Sequence, residues 1–133
     1  MTAIVESLED FFPTYLERLL AKDIEGLGAL YSEGASLSST RGPDGAFWAV
    51  GRDAIKDYLA AMARLYDVVS ETPPTAAYQV RDDSLAWRHG CFTAFLTGRD
   101  EGPVRKVSVE AFEVLILSPV EGWQYLVDQS RDL

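Results

Sequence analysis

The stretch "WRHGCF", residues 87–92, holds the only histidine and the only cysteine of the chain, two positions apart. His89 carries the side chain whose ordinary pKa lies nearest neutrality. In an apolar cavity it could act as a general acid or base. The plainer alternative is a histidine hydrogen-bonded to a neighbour with no chemical role. Cys91 would be a nucleophile only with thiolate character, which a helix N-terminus or a cationic neighbour supplies. On a strand, side chains two positions apart sit roughly 7 Å from each other. No third residue to orient a Cys–His dyad is visible. A small buried hydrophobe is the commoner fate of a free cysteine. One histidine and one cysteine would leave a zinc ion to carboxylates for its remaining ligands, so no metal site is expected.

The other chemistry-bearing residues are acids. Asp128 lies in "WQYLVDQS" and Glu110 in "SVEAFEVL". An aspartate in an apolar pocket has its pKa raised by desolvation and can serve as a base. Glu110 shares a strand face with Ser108, Phe112 and Val114, so it reads as a pocket acid or one half of a buried pair. Glu113 points to the opposite face and reads as surface or interface.

Parity along a strand sorts these residues by face. Leu85, Trp87, His89, Cys91, Thr93 and Phe95 form one set, mostly large and apolar, and are expected to face the pocket. Ala86, Arg88, Gly90, Phe92, Ala94 and Leu96 form the other. A bulge at Gly90 would exchange the two. Asp128 falls with Gln124, Leu126 and Ser130. The expected pocket lining is Trp87, Cys91, Phe112 and Ser130 from strands, with Tyr58 and Met62 from a helix. Trp48 follows a loop and would be a lid. For Tyr15, Tyr58 and Trp48, aromatics with a polar handle, core packing is the competing reading.

These residues need a scaffold, and the period of the sequence changes along it. In "AIVESLEDFFPTYLERLLAK" apolar residues recur at helical spacing, from Ile4 through Leu8 to Leu20. Pro13 predicts a kink or a restart. Asp23 is a plausible N-cap for a second helix, "IEGLGALY". "GASLSST" reads as extended and "RGPDGAF" as a loop. "RDAIKDYLAAMARLYDVV" predicts a third helix starting near Gly51, with Ile55, Leu59, Met62 and Tyr66 on one face. "SETPP" ends it. "TAAYQV", "LAWRHGCFTAFLT", "RKVSVEAFEVLIL" and "WQYLVDQS" then read as successive strands, separated by the turns "RDDS", "GRDEGP" and "SPVEG". Helices first and strands after imply an α+β fold, with helices packed on one face of a curved antiparallel sheet.

A length of 133 residues suits a single domain over 1–133, and 47% hydrophobic with 25% charged residues is the profile of a globular protein. The net charge of −9 disfavours nucleic acid and anionic membrane surfaces. No apolar run approaches the roughly 20 residues of a membrane helix. The acidic start "MTAIVESLEDFF" lacks the pattern of a signal peptide. A lone cysteine fits a reducing compartment such as the cytoplasm.

The order of elements resembles the nuclear transport factor 2-like superfamily. The features that carry the resemblance are "YLERLLAKDIEGLGALYSEGASL", "VGRDAIKDYLAAM" and the late strand "EGWQYLVDQS". It implies a cone-shaped α+β fold, a curved mixed sheet wrapped around three N-terminal helices. The superfamily includes ketosteroid isomerases, SnoaL-like cyclases, scytalone dehydratase, limonene epoxide hydrolase and non-enzymatic domains. By resemblance to the ketosteroid isomerases, Tyr15 would be an oxyanion donor and Glu110 a second, protonated donor. The isomerase's aspartate base is replaced by Ser39 or a neighbour, and serine cannot take a proton from carbon near neutral pH without a base of its own.

Two readings stay open. In the first, the protein is a cofactor-free isomerase, cyclase or dehydratase for a small apolar organic substrate. Asp128 or Glu110 would be the base, His89 an acid/base partner and Tyr15 the oxyanion donor. In the second, the domain is non-catalytic, a ligand-binding or dimerisation module. Either is compatible with a homodimer, the commonest symmetric assembly.

Overall fold

The computed structural model describes residues 3–72, 76–98 and 103–133. The prolines of "SETPP" and most of the turn "GRDEGP" lie outside these. After a short 3-10 turn come helices α1 (Phe11–Leu20) and α2 (Ile24–Gly28), then strands β1 (Tyr31–Gly42) and β2 (Gly45–Val50). Helix α3 (Arg52–Leu65) precedes β3 (Tyr66–Glu71), β4 (Gln79–Arg81), β5 (Leu85–Gly98), β6 (Arg105–Ser118) and β7 (Gly122–Asp132). The strands form one mixed sheet in the order β2-β1-β7-β6-β5-β3, with β4 on the margin of β5. Only β1 and β7 run parallel among the paired strands.

Local chemistry explains the helix limits. The Asp23 carboxylate accepts from the Gly26 N–H at 2.9 Å, the expected N-cap of α2. Gly51 has φ +95°, a backbone conformation that side chains disfavour, and this turns the chain from β2 into α3. Its N–H donates to the Ala35 carbonyl at 2.8 Å, tying the start of α3 to β1. Pro13 does not kink a long helix. It falls in the first turn of α1, where backbone N–H groups have no intrahelical partner in any case. Upstream, Val5 instead makes an isolated bridge to Gly122 at the β6–β7 turn. Gly122 has φ +73°, and a Cβ there would meet the Val5 carbonyl oxygen at 2.3 Å.

Three readings of the chain are corrected. "RGPDGAF" is not simply a loop, since β2 begins at Gly45 and pairs with β1 as a hairpin. Helix α3 ends at Leu65, so "YDVVSE" is strand β3. Its β-branched valines and its pairing with β5 override the continuation of a helical pattern. Helix α2 stops at Gly28, short of Tyr31.

The core gathers Phe11, Leu27, Leu30, Tyr31, Ile55, Leu115 and Tyr125 between the helices and the concave face of the sheet. Phe11 meets Tyr125 edge-on with ring centroids 4.8 Å apart, and Tyr31 lies 4.9 Å from the same ring. The core fills one end of the concavity. The rest remains open, and the candidate site is there.

Candidate functional site

Two adjoining chambers occupy the space between the helices and the sheet. The first, a cavity of about 170 Å³, is largely apolar, with Leu19, Leu27, Met62, Val68, Leu96 and Val109 in its wall. The second, of about 100 Å³, carries a larger polar share and holds Tyr31, Arg88, Glu113, Tyr125 and Asp128. Tyr15, Ser39, Tyr58, Glu71, Phe92 and Ser130 line both. These volumes lie below the roughly 300–1,000 Å³ of pockets for drug-sized ligands, so a ligand of ring size fits best.

The polar chamber is built by strand geometry. Val114 pairs with Val127 but Leu115 pairs with Tyr125, so Leu126 is an extra residue, a bulge in β7. In a regular strand Tyr125 and Asp128 would point to opposite faces. The bulge turns both to the concave side. A second irregularity in β1, between Tyr31 and Ser36, brings Tyr31 opposite Tyr125. As a result the Tyr31 hydroxyl donates to Asp128 Oδ2 at 2.6 Å.

Beside it lies a buried ion pair. Arg88 on β5 and Glu113 on β6 are cross-strand partners. Arg88 Nε and Nη2 each lie 2.6 Å from Glu113 Oε1, and the two side chains are 8% and 7% exposed. The Tyr125 hydroxyl donates to Glu113 Oε2 at 2.7 Å. The Arg88 guanidinium also sits 4.0 Å from the centroid of the Tyr78 ring, a cation–π contact. Both charges are thereby satisfied.

Asp128 has no such partner. It retains some accessible surface because it faces the cavity, yet protein surrounds it on every side. Burial pushes its carboxyl up to about 7. The Glu113 charge adds to the rise, and the Tyr31 hydrogen bond and Arg88 oppose it. Glu71, at the end of β3, is also pushed up to about 7, by burial first and then by Asp128 and Glu113. Tyr15, Tyr31 and Tyr125 are raised well above the ordinary tyrosine value by desolvation and stay neutral donors.

Of the site residues read from the sequence, Asp128, Tyr15, Tyr58, Met62 and Ser130 lie on the cavity wall. His89, Glu110, Trp87, Cys91, Phe112 and Trp48 do not. The β5–β6 ladder runs from Leu85 to Leu96 without a break, so no bulge sits at Gly90. The faces are nonetheless the reverse of the parity expectation, as burial along β5 shows. Ala86, Arg88, Phe92, Ala94 and Leu96 face inward, and Trp87, His89 and Cys91 face out. Trp87 is 44% exposed and Phe112 37%. His89 Nε2 lies 3.1 Å from Glu110 Oε2 on the outer face, and Arg131 donates to the other Glu110 oxygen at 2.5 Å. The Arg131 hydrogen bond holds the Glu110 carboxyl below its ordinary value, so this acid is ionised rather than a protonated donor. Trp48, on β2, is 71% exposed and lines neither chamber.

Residue type singles out neither Glu71 nor Tyr31, and the parity expectation puts Arg88 and Glu113 away from the pocket they line. One signal was available. The inward set on β5 contains Ala86, Gly90 and Ala94, small residues suited to the concave side of a tightly curved sheet.

No family model matches the chain, and no curated protein matches it in sequence. Solved structures do. A ketosteroid isomerase-like protein from Erwinia carotovora superposes with a TM-score of 0.78 at 17% identity, over 95% of this chain and 93% of that one. A candidate scytalone dehydratase from Novosphingobium aromaticivorans gives 0.78 at 20% identity, over 95% and 81%. ActVI-ORFA from Streptomyces coelicolor gives 0.73 at 15%, over 94% and 93%. At such identities the likeness concerns backbone architecture, and it extends over nearly the whole chain. With its curved, unclosed sheet and helices packed into the concavity, the chain has the nuclear transport factor 2-like fold.

Proposed function

We propose that the protein is a cofactor-independent enzyme that performs acid–base chemistry on a small, largely apolar organic molecule, an isomerisation, cyclisation or dehydration. The carrying observation is Asp128. It faces a cavity with an apolar chamber, has no cation of its own, and has its carboxyl pushed up to about 7. A base with that affinity for protons can accept one from carbon and return it at neutral pH. Tyr31 holds the carboxylate through one oxygen. Tyr15, on the wall of the same chambers, is placed to donate to an oxygen on which charge develops. Neighbours named for ketosteroid isomerase and scytalone dehydratase support this class of chemistry without naming a substrate.

The test is deuterium exchange. Cyclohex-3-enone and related small neutral ketones are incubated with the protein in D₂O and followed by NMR. Label should enter at the carbon beside the carbonyl faster than in buffer, and Asp128→Asn should remove the excess. If no ketone exchanges faster with the protein than without it, the assignment fails. His89→Ala is the contrasting variant. It should exchange at the wild-type rate, because the imidazole lies on the outer face, on the far side of the sheet from Asp128.

The outer face supports a homodimer. Trp87 and Phe112 expose apolar surface on adjacent strands, beside the charged set His89, Glu110 and Arg131. Aromatic area of this kind, rimmed by charge, suits a protein interface. Sedimentation should show a dimer that Trp87→Glu converts to monomer. A wild type that sediments as a monomer at high concentration removes this element.

A further inference from the structure

Asp128 shares its cavity with an acid that no strand pattern and no resemblance singles out. Glu71 ends β3, opposite Ala94 of β5, and lines both chambers. The cations near the cavity are already committed. Arg88 is paired with Glu113, Arg41 with Asp132 and Lys22 with Asp67. Among the described residues, no hydrogen-bond donor reaches the Glu71 carboxylate, and Asp128 has only the Tyr31 hydroxyl. Among the described residues, two carboxyls thus face one small cavity with no cation paired to either, Arg88 acting on Asp128 only at longer range. Ionising both would place like charges together in a space with little water, and a proton held on one relieves the repulsion.

We propose, on the reading of this cavity as an acid–base site, that Glu71 is the acid partner of Asp128: one carboxyl keeps the site's proton while the other is ionised, and the pair acts on neutral rather than anionic substrates. In an allylic isomerisation, ionised Asp128 takes a proton from the carbon beside a carbonyl. The electron pair moves to the carbonyl oxygen, and Glu71 delivers its proton there to give an enol. In the return steps Asp128 gives its proton to the distal carbon and the enol proton goes back to Glu71. Both carboxyls end as they began. A substrate with its own carboxylate or phosphate would bring a second negative charge beside the ionised carboxyl and is excluded.

The groups facing the pair fit this division. Tyr15 on α1, Tyr31 on β1, Tyr58 on α3 and Tyr125 on β7 are all shifted toward the neutral form by burial. They donate hydrogen bonds but do not take up the proton. Arg88 on β5 and Glu113 on β6 are paired with each other, and the Glu113 charge still adds to the rise of both acids.

Carboxyl titration by ¹³C NMR, with labelled aspartate and glutamate side chains, tests the pairing without any ligand. The wild type should show two linked steps across neutrality. In Glu71→Gln the Asp128 step should become single and move to lower pH. In Asp128→Asn the Glu71 step should move the same way. An Asp128 titration unchanged by Glu71→Gln overturns the pairing. So does a wild type in which both acids titrate in the ordinary carboxyl range, a measurement that needs no variant to fold. A second arm uses binding of cyclohexanone against cyclohexanecarboxylate at pH 7. The neutral ring should bind and the anion should not, and equal binding overturns the charge selection. If neither probe binds, the ligand reading of the cavity falls, while the titration still decides whether the acids are coupled.

Discussion

Asp128→Asn is expected to lose turnover by about 10²–10⁴-fold, the usual contribution of a positioned acid or base, and yet to be more stable than the wild type at pH 8. Both effects have one cause. The carboxyl of Asp128 is raised from its ordinary range to about 7 by burial and by Glu113. The folded protein therefore binds this proton more tightly than the unfolded chain does. The stability contributed by the protonated acid is complete below the unfolded pKa near 4 and is lost as the pH rises through about 7. At pH 8 the native state carries an ionised carboxylate in a desolvated site, at a cost of a few kcal/mol. An asparagine carries no such charge, and its amide oxygen can still accept from the Tyr31 hydroxyl. Urea unfolding at pH 5 and pH 8 is the measurement. Wild-type stability should fall between the two, and the variant should show a shallower fall. Glu71, whose carboxyl is raised in the same direction, leaves a residual slope. An identical pH dependence in the two proteins would show that Asp128 is not strained by burial.

Arg88→Leu is expected to destabilise the fold by about 3–5 kcal/mol, the usual consequence of leaving one charge of a buried pair alone. The Arg88–Glu113 pair is nearly solvent-free and bridges one rung of the β5–β6 ladder. Without the guanidinium, Glu113 would keep only the Tyr125 hydroxyl and would be forced to take up a proton. The diagnostic is the double variant. Arg88→Leu with Glu113→Leu removes both charges and should recover most of the lost stability, since a buried pair contributes little beyond a well-packed apolar substitute. Chemical denaturation of the single and double variants separates the two cases. A double variant no better than the single would place the loss in packing against Tyr78 instead.

These residues show how far the chain could be read in advance. The period of apolar residues identified α1 and α3, and the run of β-branched and aromatic residues identified β5, β6 and β7. Asp23 and Gly51 marked helix starts by chemistry that acts within one turn. Asp128 stood out by type and place, and Tyr15 through the resemblance to the ketosteroid isomerases. Glu71 did not, because nothing in "YDVVSE" shows that its last residue reaches a cavity formed with strands far along the chain. Arg88 and Glu113 were assigned to the wrong side of the sheet, although their direct cross-strand pairing is a relation between opposite charges.

The sequence by itself determined the three helices and the late strands β5, β6 and β7, because helical and strand periodicity, capping and proline effects are short-range, whereas β2 and β3 are strands by virtue of their pairing with β1 and β5. The tertiary structure alone decided which face of each strand is the inside. Parity divides a strand into two sets without saying which is covered, and that depends on where α1 and α3 pack. One extra residue at Leu126 then re-aims the chain, so that Tyr125 and Asp128 share a face that strict alternation would have denied them.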